Sequence, residues 1–321
     1  MEQAVLNQGA GKFGKGAYSL KLLGGFDQSV FEYAGEDGSR FVLKFLDAAK
    51  YRKADIIREQ TWMAHLAGHG LRIAESLTSH QGLLIEEVAH GGQLFYVIAF
   101  TMAPGRPLTD LESDAAVIER WGRGLGRMHA LGKHGSAALL HQMGFAHWNS
   151  HPIFTDEFPA AAGEKVHTRW KEYLKELSSL PQDPQGYGIV HNDLHHRNFH
   201  VHDGDIVFFD FGDIGYHWYA YDIAISIYHA VQTVPGPRKA EFASRFCDAL
   251  LTGYLQEHPL STDWIKRIPF FIDFRNVYSF VYFSKYVDWH ELDERTRKYL
   301  AGMKADIEAG TPVVHCRYHN R

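Results

Sequence analysis

Two short segments of this chain combine polar residues at spacings that suit phosphoryl transfer. The first, residues 191–198, reads His-Asn-Asp-Leu-His-His-Arg-Asn, and the second, residues 210–212, reads Asp-Phe-Gly. Phosphoryl transfer requires a carboxylate at the attacking hydroxyl, oxygen ligands for magnesium, and a turn that fixes both. Apolar runs flank each segment, so we predict one strand-loop-strand unit that carries all three.

Three residues of these segments are the main candidates for chemistry. Asp193 is the candidate catalytic base, because a carboxylate here can accept the proton of a hydroxyl or orient that hydroxyl toward phosphorus. Asn198 and Asp210 are the candidate magnesium ligands, since magnesium prefers hard oxygen donors. Each of these residues alone would be interpreted as an ordinary turn residue. Their occurrence together at the spacing of these two segments favours a catalytic role. Asp213 assists the metal, faces the substrate or is a solvated turn carboxylate.

A lysine upstream is the candidate phosphate contact. Lys44 ends the β-type run Phe-Val-Leu-Lys, which is similar to V-A-I-K and predicts pairing with the α- and β-phosphates. Glu59, in a predicted helix, is the expected ion-pair partner that holds Lys44, and Glu86 and Glu87 compete for that role.

The nucleotide-covering loop is predicted at residues 22–30, whose glycines let backbone amides approach phosphate and whose Ser29 can donate a hydrogen bond. Residues 11–16 are richer in glycine and lysine but lie too early, and we interpret them as a flexible N-terminal segment. Main-chain groups of Phe100 to Met102, before the break Ala-Pro-Gly-Arg-Pro, are the expected adenine contacts. ATP is the predicted nucleotide, with GTP as the alternative.

Composition excludes several classes of function. Across 321 residues the formal net charge is −5 and the isoelectric point is about 6.5, so neither nucleic acid nor an anionic membrane is expected as a partner. The two cysteines lie far apart and no signal-peptide pattern opens the chain, so we expect a cytoplasmic protein. The histidines near residue 195 have no cysteine beside them, which argues against a zinc cluster. A monomer and a homodimer both remain open.

Hydrophobic periodicity divides the chain into two predicted lobes. Residues 1–103 alternate short strands around one helix and form a small, β-rich nucleotide-binding lobe. Residues 104–321 are mainly helical and form a larger catalytic and substrate-binding lobe. In the first lobe we predict hairpins at 30–45 and 83–100 and a helix within 47–67. In the second we predict helices at 117–128, at 164–179 and from Asp222, then further helices over 238–309.

Together these motifs resemble the aminoglycoside phosphotransferase/choline kinase-like family. Residues 189–199 look like the family's H-G-D-L-H-x-x-N loop, with Asn192 in place of the usual glycine. Residues 210–213 fall where the family shows I-D-W or I-D-F followed by an acidic residue, and 125–129 match its L-x-x-L-H helix. The resemblance implies an α+β, bilobal protein-kinase-like fold. It also implies the same roles for the base, the two magnesium ligands and the lysine.

The resemblance implies an ATP- and magnesium-dependent phosphotransferase, and the acceptor is expected to be a small molecule with a hydroxyl group. No A-P-E motif or long activation segment follows Asp210, so a peptide-docking platform is missing. Aromatic residues with Asp213 suit a cationic amine or aminoglycoside, whereas Arg275, one predicted helical turn from Tyr278, suits a hydroxy amino acid. An amino alcohol, a Ser/Thr protein kinase activity and a nucleotide-binding pseudokinase scaffold stay open as alternatives.

Overall fold

The computed structural model describes residues 1–25, 27–112, 114–134, 143–290 and 292–314. Over these residues the chain forms two compact units. The first unit consists mainly of Met1–Arg106 and Phe199–Gly212, and the second consists mainly of Phe145–Asn198 and Asp213–Arg321 with the segment after Arg106. The hairpin that precedes the Asp-Phe-Gly motif therefore belongs to the first unit.

The first unit is a six-stranded antiparallel sheet with two helices and a separate hairpin. The sheet order is β1-β2-β3-β6-β4, and β5 also pairs with β6, along residues 93–97. Its elements are α1 (Gln3–Phe13), β1 (Tyr18–Gly24), β2 (Val30–Gly35), β3 (Arg40–Asp47), α2 (Lys53–Gly68), β4 (Ser76–Leu77), β5 (Glu86–His90), β6 (Gln93–Thr101), β7 (Arg106–Pro107), β9 (Phe199–His202) and β10 (Asp205–Phe208).

Both predicted hairpins of this sheet are confirmed, and helix α2 begins somewhat later than the pattern indicated. The prediction of a flexible segment at 11–16 was wrong for its first half, because residues 11–13 belong to α1. That helix buries Val5, Leu6 and Ala10 against the sheet, with Phe45 and Val97 in the same core. Burial of these apolar side chains outweighs the low helix propensity of the glycines.

The β9–β10 hairpin carries the run that ends at the Asp-Phe-Gly motif. Its strands pair in the register Phe208 with Phe199, and β7 adds to β9 as a third strand. The main-chain nitrogen of Phe208 donates to the carbonyl of Arg72, and the main-chain nitrogen of Ala74 donates to the carbonyl of Phe208. These bonds hold the end of β10, and so the backbone that leads to Asp210.

The second unit is mainly helical. Its elements are α3 (Ala115–His134), α4 (Pro152–Thr155), a 3-10 turn (Ala160–Ala162), α5 (Glu164–Ser179), β8 (Tyr187–Val190), β11 (Gly215–Trp218), α6 (Tyr219–Val231), a 3-10 turn (Gly236–Arg238), α7 (Lys239–Glu257), α8 (Thr262–Lys266), α9 (Ile268–Tyr286) and α10 (Glu294–Ala309). Strands β8 and β11 pair antiparallel. The predicted helices at 117–128 and 164–179 are confirmed.

Close packing of α3 against α7 depends on glycine. A Cβ atom at Gly122 would overlap the carbonyl oxygen of Leu250, and one at Gly253 would overlap the carbonyl oxygen of Glu119. Helix α6 lies deep in the unit, with nearly all of its residues buried. It begins at Tyr219, three residues before the predicted start at Asp222, so Asp222 lies in its first turn. Within the described residues, no helix is long and apolar enough to span a lipid bilayer.

Candidate active site

The loop that holds Asp193 is fixed by a buried carboxylate of helix α6. Asp222 is fully buried, and its two oxygens accept the main-chain N–H groups of His191 and Asn192, each at 2.9 Å. The same helix donates from Ser226 Oγ to the carbonyl of Leu194 at 2.7 Å. Three hydrogen bonds from two residues of one buried helix therefore hold the backbone of the loop.

A chain of buried polar groups supports Asp222 in turn. His129 of α3 lies with Nε2 at 3.0 Å from an oxygen of Asp222, and its Nδ1 lies 2.8 Å from the hydroxyl of Tyr254. The Tyr254 hydroxyl lies 3.1 Å from Nδ1 of His258. Buried polar groups are tolerated when they are hydrogen-bonded, and this network ties three helices to the loop.

The residue after His191 has a backbone conformation that explains its identity. Asn192 has a φ of +66°, in the left-handed region that glycine and asparagine tolerate better than other residues. Its side-chain nitrogen also donates to the carbonyl of Asp213 at 2.9 Å. Asparagine can thus adopt the left-handed conformation at the position where the family motif has glycine. Its side chain also makes a hydrogen bond to the segment after the Asp-Phe-Gly motif.

The Asp193 carboxylate is a quarter exposed and is surrounded by donors within its own unit. Arg275 Nη2 lies 2.9 Å from Oδ1, while His195 Nε2 and Asn198 Nδ2 each lie 3.4 Å from Oδ2. Burial alone would raise the pKa of this carboxyl, but the hydrogen bond from His195 and the charge of Arg275 outweigh it and hold the pKa well below its usual range. Asp193 is therefore ionised at neutral pH.

Two residues around Asp193 were not singled out in the sequence. His229 of α6 lies with Nε2 at 4.0 Å from Oδ1 of Asp193 and at 3.3 Å from Arg275 Nη2. Burial lowers the pKa of His229 well below its usual value, and the charge of Arg275 acts in the same direction, so His229 is neutral and accepts from the guanidinium. Tyr221 accepts from Arg275 Nη1 at 3.4 Å. Both lie on one buried helix, where no local pattern distinguishes them from core residues.

Asn198 closes the loop back onto Asp193. Its side-chain nitrogen donates to the main-chain oxygen of Asp193 at 2.8 Å, and its main-chain nitrogen donates to the carbonyl of His195 at 2.9 Å. Because the amide nitrogen is committed as a donor, the amide oxygen is the atom left to bind a metal. An amide oxygen and the Asp210 carboxylate are hard donors of the kind that magnesium takes. Each residue is thus chemically suited to bind magnesium, and the metal role of both stays a prediction.

The first unit brings Lys44 together with Asp210. Lys44 Nζ lies 3.0 Å from Oδ1 of Asp210, and the Asp210 backbone has a φ of +62°. Glu59 of α2 is 6% exposed. Burial raises the pKa of the Glu59 carboxyl, the charge of Lys44 lowers it, and the charge of Asp210 raises it. These three residues thus interact electrostatically. The two competitors are engaged elsewhere: Glu86 pairs with Lys12 and accepts from Ser79, and Glu87 pairs with Lys53.

The remaining nucleotide-binding candidates also lie in the first unit. Ser29 is buried just before β2, and its carbonyl accepts from the main-chain nitrogen of Phe45 of β3, next to Lys44. Gly25, in the preceding turn, has a φ of +87°. Phe100 pairs with Val42 near the end of β6, and Met102 follows that strand. The roles of Ser29, Phe100 and Met102 in nucleotide binding stay predictions.

The candidate substrate residues lie in the second unit. Tyr278 follows Arg275 on α9, with the guanidinium carbon 5.5 Å from its ring centre. Tyr278, Tyr282 and Tyr286 form a row along the helix, with ring centres 6.1 Å and 4.7 Å apart. Burial raises the pKa of Tyr278, to which the charge of Asp213 also contributes. Asp213 itself is exposed after the Asp-Phe-Gly motif.

Histidines are numerous near Asp193, but they do not form a metal cluster in the part of the chain that the structure describes. There, no three His, Cys, Asp or Glu side chains are grouped so that they could hold a metal ion. His195 is instead oriented toward the carboxylate of Asp193, and the Nδ1 atom of His200 lies 3.0 Å from the carbonyl of Ala103.

The chain is similar to known phosphotransferases over most of its length. The sequence model of the "Phosphotransferase enzyme family" matches residues 20–260. An amicoumacin kinase of Bacillus subtilis (strain 168) is 30% identical over 318 residues, which is 97% of this chain and 94% of the relative.

Solved structures agree. An amicoumacin kinase in complex with AMP-PNP, Ca2+ and Ami superposes with a TM-score of 0.88 at 29% identity, over 99% of this chain and 96% of that one. A microcompartment-associated aminopropanol kinase gives a TM-score of 0.78 at 18% identity, over 96% of each chain, and this likeness concerns the fold alone. The protein-kinase-like fold expected from the sequence is confirmed. Because the family model matches residues 20–260 and the amicoumacin kinase of Bacillus subtilis is 30% identical over 97% of the chain, the chain belongs to the phosphotransferase enzyme family.

Proposed function

We propose that this protein transfers the γ-phosphoryl group of ATP to a hydroxyl group of amicoumacin or of a closely similar small molecule. The observation that carries the proposal is the 30% identity to an amicoumacin kinase over 97% of the chain. The geometry at Asp193 supports the same chemistry, since its carboxylate is ionised, partly exposed and held by a rigid loop. A carboxylate that orients an acceptor hydroxyl toward phosphorus requires those properties.

In this proposal the acceptor hydroxyl hydrogen-bonds to Asp193, which orients it and accepts its proton as the oxygen bonds to the γ-phosphorus. The bond between that phosphorus and the β,γ-bridging oxygen breaks, and ADP leaves. Because a phosphoryl-transfer transition state is loose, most of the rate arises from positioning and charge stabilisation. The fixed loop around Asp193 is suited to the first of these tasks.

In this proposal four side chains serve the nucleotide. Lys44 contacts the α- and β-phosphates, and Glu59 holds the lysine in place. Asn198 and Asp210 supply the oxygen ligands for magnesium, which neutralises phosphate charge when it is bound. Backbone groups between Phe100 and Met102 receive the adenine. The amicoumacin kinase solved with AMP-PNP and Ca2+ supports an adenine nucleotide and a divalent cation in this role.

We place this activity in the cytoplasm, because two cysteines far apart in sequence suit a reducing compartment. Asp213 and Tyr278 are proposed to contact the acceptor. The exposed carboxylate and the aromatic face would together favour a cationic amine on the acceptor molecule.

The test is magnesium-dependent release of ADP from ATP, measured with amicoumacin, aminopropanol, aminoglycosides, choline, hydroxy amino acids and a generic protein substrate. We expect stimulation by amicoumacin and formation of a product heavier by one phosphate in mass spectrometry. An Asp193→Asn variant is the negative control, since it removes the base and keeps the side-chain volume. Stimulation by protein alone would indicate a protein kinase. ATP binding without turnover for any acceptor would indicate a scaffold, and either result would contradict the proposal.

A further inference from the structure

Arg275 is largely shielded from solvent, and its charge faces the partly exposed carboxylate of Asp193. Its side chain is 13% exposed, and its Nη2 atom lies 2.9 Å from Oδ1 of Asp193. A buried cation beside a buried or partly buried anion costs desolvation free energy, which is recovered only where the geometry is good. A contribution to stability therefore does not by itself explain why an arginine occupies this position of α9.

The guanidinium contacts the candidate catalytic loop at more than one point. Nη2 binds the Asp193 carboxylate, and Nη1 lies 3.5 Å from the carbonyl oxygen of Asn192. On its other sides it donates to the Tyr221 hydroxyl at 3.4 Å and contacts the ring of Tyr278. A planar fork with several donors can fix both the position and the rotation of a carboxylate, which an ammonium group cannot do as well.

The two oxygens of Asp193 are held unequally. Oδ1 accepts from Arg275 at 2.9 Å and has His229 at 4.0 Å, whereas the contacts of Oδ2 with His195 and Asn198 are both 3.4 Å. A contact of 3.4 Å is long for a hydrogen bond to a carboxylate. Oδ1 is therefore engaged in a short hydrogen bond, and Oδ2 is the oxygen that can more easily accept a hydrogen bond from a substrate hydroxyl.

We propose that Arg275 is a positioning residue of the phosphotransfer reaction, which binds Oδ1 of Asp193 so that Oδ2 faces the acceptor hydroxyl. This inference rests on the proposed function of Asp193. It also revises the sequence-based interpretation in which Arg275 binds a carboxylate of the acceptor, because Nη2 of Arg275 already donates to the protein's own carboxylate. Arg275 acts through Asp193 and need not touch the substrate.

The test is a double-mutant cycle on kcat with wild type, Arg275→Met, Asp193→Asn and the double variant, using the acceptor that stimulates ADP release. Arg275→Met should lower kcat about 100-fold, the size of effect that misplacement of a catalytic group by about 1 Å produces. The KM values for ATP and acceptor should change less than about threefold. In the Asp193→Asn background the same substitution should have almost no further effect on kcat, since the carboxylate it positions is gone.

Two variants separate positioning from a structural role. Arg275→Lys keeps the charge and should recover about tenfold of the lost kcat. Arg267→Met removes a partly exposed arginine at the start of the same helix, and it should leave kcat unchanged. Circular dichroism of each variant checks that it is folded.

Several results would overturn the inference. An Arg275→Met enzyme with wild-type kcat would do so, as would an equal loss of kcat in both backgrounds. A rise in the acceptor KM alone would restore Arg275 as a substrate-binding residue. If the wild-type protein phosphorylated no acceptor, the proposed function itself would be wrong. If the wild-type protein were active and the Arg275→Met variant equally so, only the inference about Arg275 would be wrong.

Discussion

Replacement of Asp222 by alanine should both destabilise the second unit and slow phosphotransfer. The carboxylate is fully buried and accepts the main-chain N–H groups of His191 and Asn192 and a ring nitrogen of His129. A buried donor that loses its acceptor costs about 1–3 kcal/mol. The two main-chain donors together give about 4 kcal/mol, in the range of about 3–5 kcal/mol found when one partner of a buried charged network is removed.

Urea unfolding followed by tryptophan fluorescence measures this loss. Six of the seven tryptophans lie in the second unit, so the signal reports on the part of the chain that contains Asp222. Asp222→Asn keeps the shape and one acceptor oxygen, and we expect it to lose about half as much, roughly 2 kcal/mol. Asp248→Ala, an exposed aspartate of α7, should change the free energy of unfolding by less than about 0.5 kcal/mol.

Activity provides an independent readout of the same substitution. Because the loop that carries Asp193 loses its anchor, kcat of Asp222→Asn should fall about 100-fold at temperatures where the variant is fully folded. An Asp222→Ala protein whose free energy of unfolding lies within about 1 kcal/mol of the wild-type value would refute the idea that Asp222 anchors the loop. A stable, folded Asp222→Asn enzyme with full kcat would refute the link between the anchor and the reaction.

Three further predictions concern the reaction and the packing. Asp193→Asn should lower kcat about 1000-fold while the dissociation constant for ATP, measured by calorimetry, changes less than about twofold. Asp210→Ala should abolish magnesium-dependent ADP release, and it should also remove the effect of magnesium on nucleotide affinity; retained activity would contradict its assignment as a ligand. Gly122→Ala should lower the free energy of unfolding by more than about 2 kcal/mol, because α3 and α7 would have to separate. Gly302→Ala, in open space on α10, should instead raise it by about 0.5–1 kcal/mol, and equal effects of the two changes would contradict the packing argument.

Local sequence patterns predicted much of the fold, because the spacing of apolar residues reflects which face of a strand or helix is buried. Alternating apolar residues gave the hairpins of β2–β3 and β5–β6, and helical periodicity gave α3 and α5. Helix α1 was missed because its glycines lower intrinsic helix propensity, while its stability comes from burial against a sheet formed by residues far along the chain. Tertiary packing thus overrode a local signal at one end of the chain.

For the candidate active site too, the sequence determined one part and the tertiary structure another. By itself the sequence determined which groups are available, since a carboxylate, an amide and a second carboxylate at fixed spacing in residues 191–210 suffice to indicate phosphoryl transfer. Only the tertiary structure decided how those groups are held. Asp222, His229 and Arg275 reach Asp193 or its loop from helices distant in sequence. The sequence assigned Arg275 to an acceptor carboxylate, and it did not single out His229. Long-range contacts leave no periodic trace, so the environment that ionises and orients Asp193 could be found only in the folded chain.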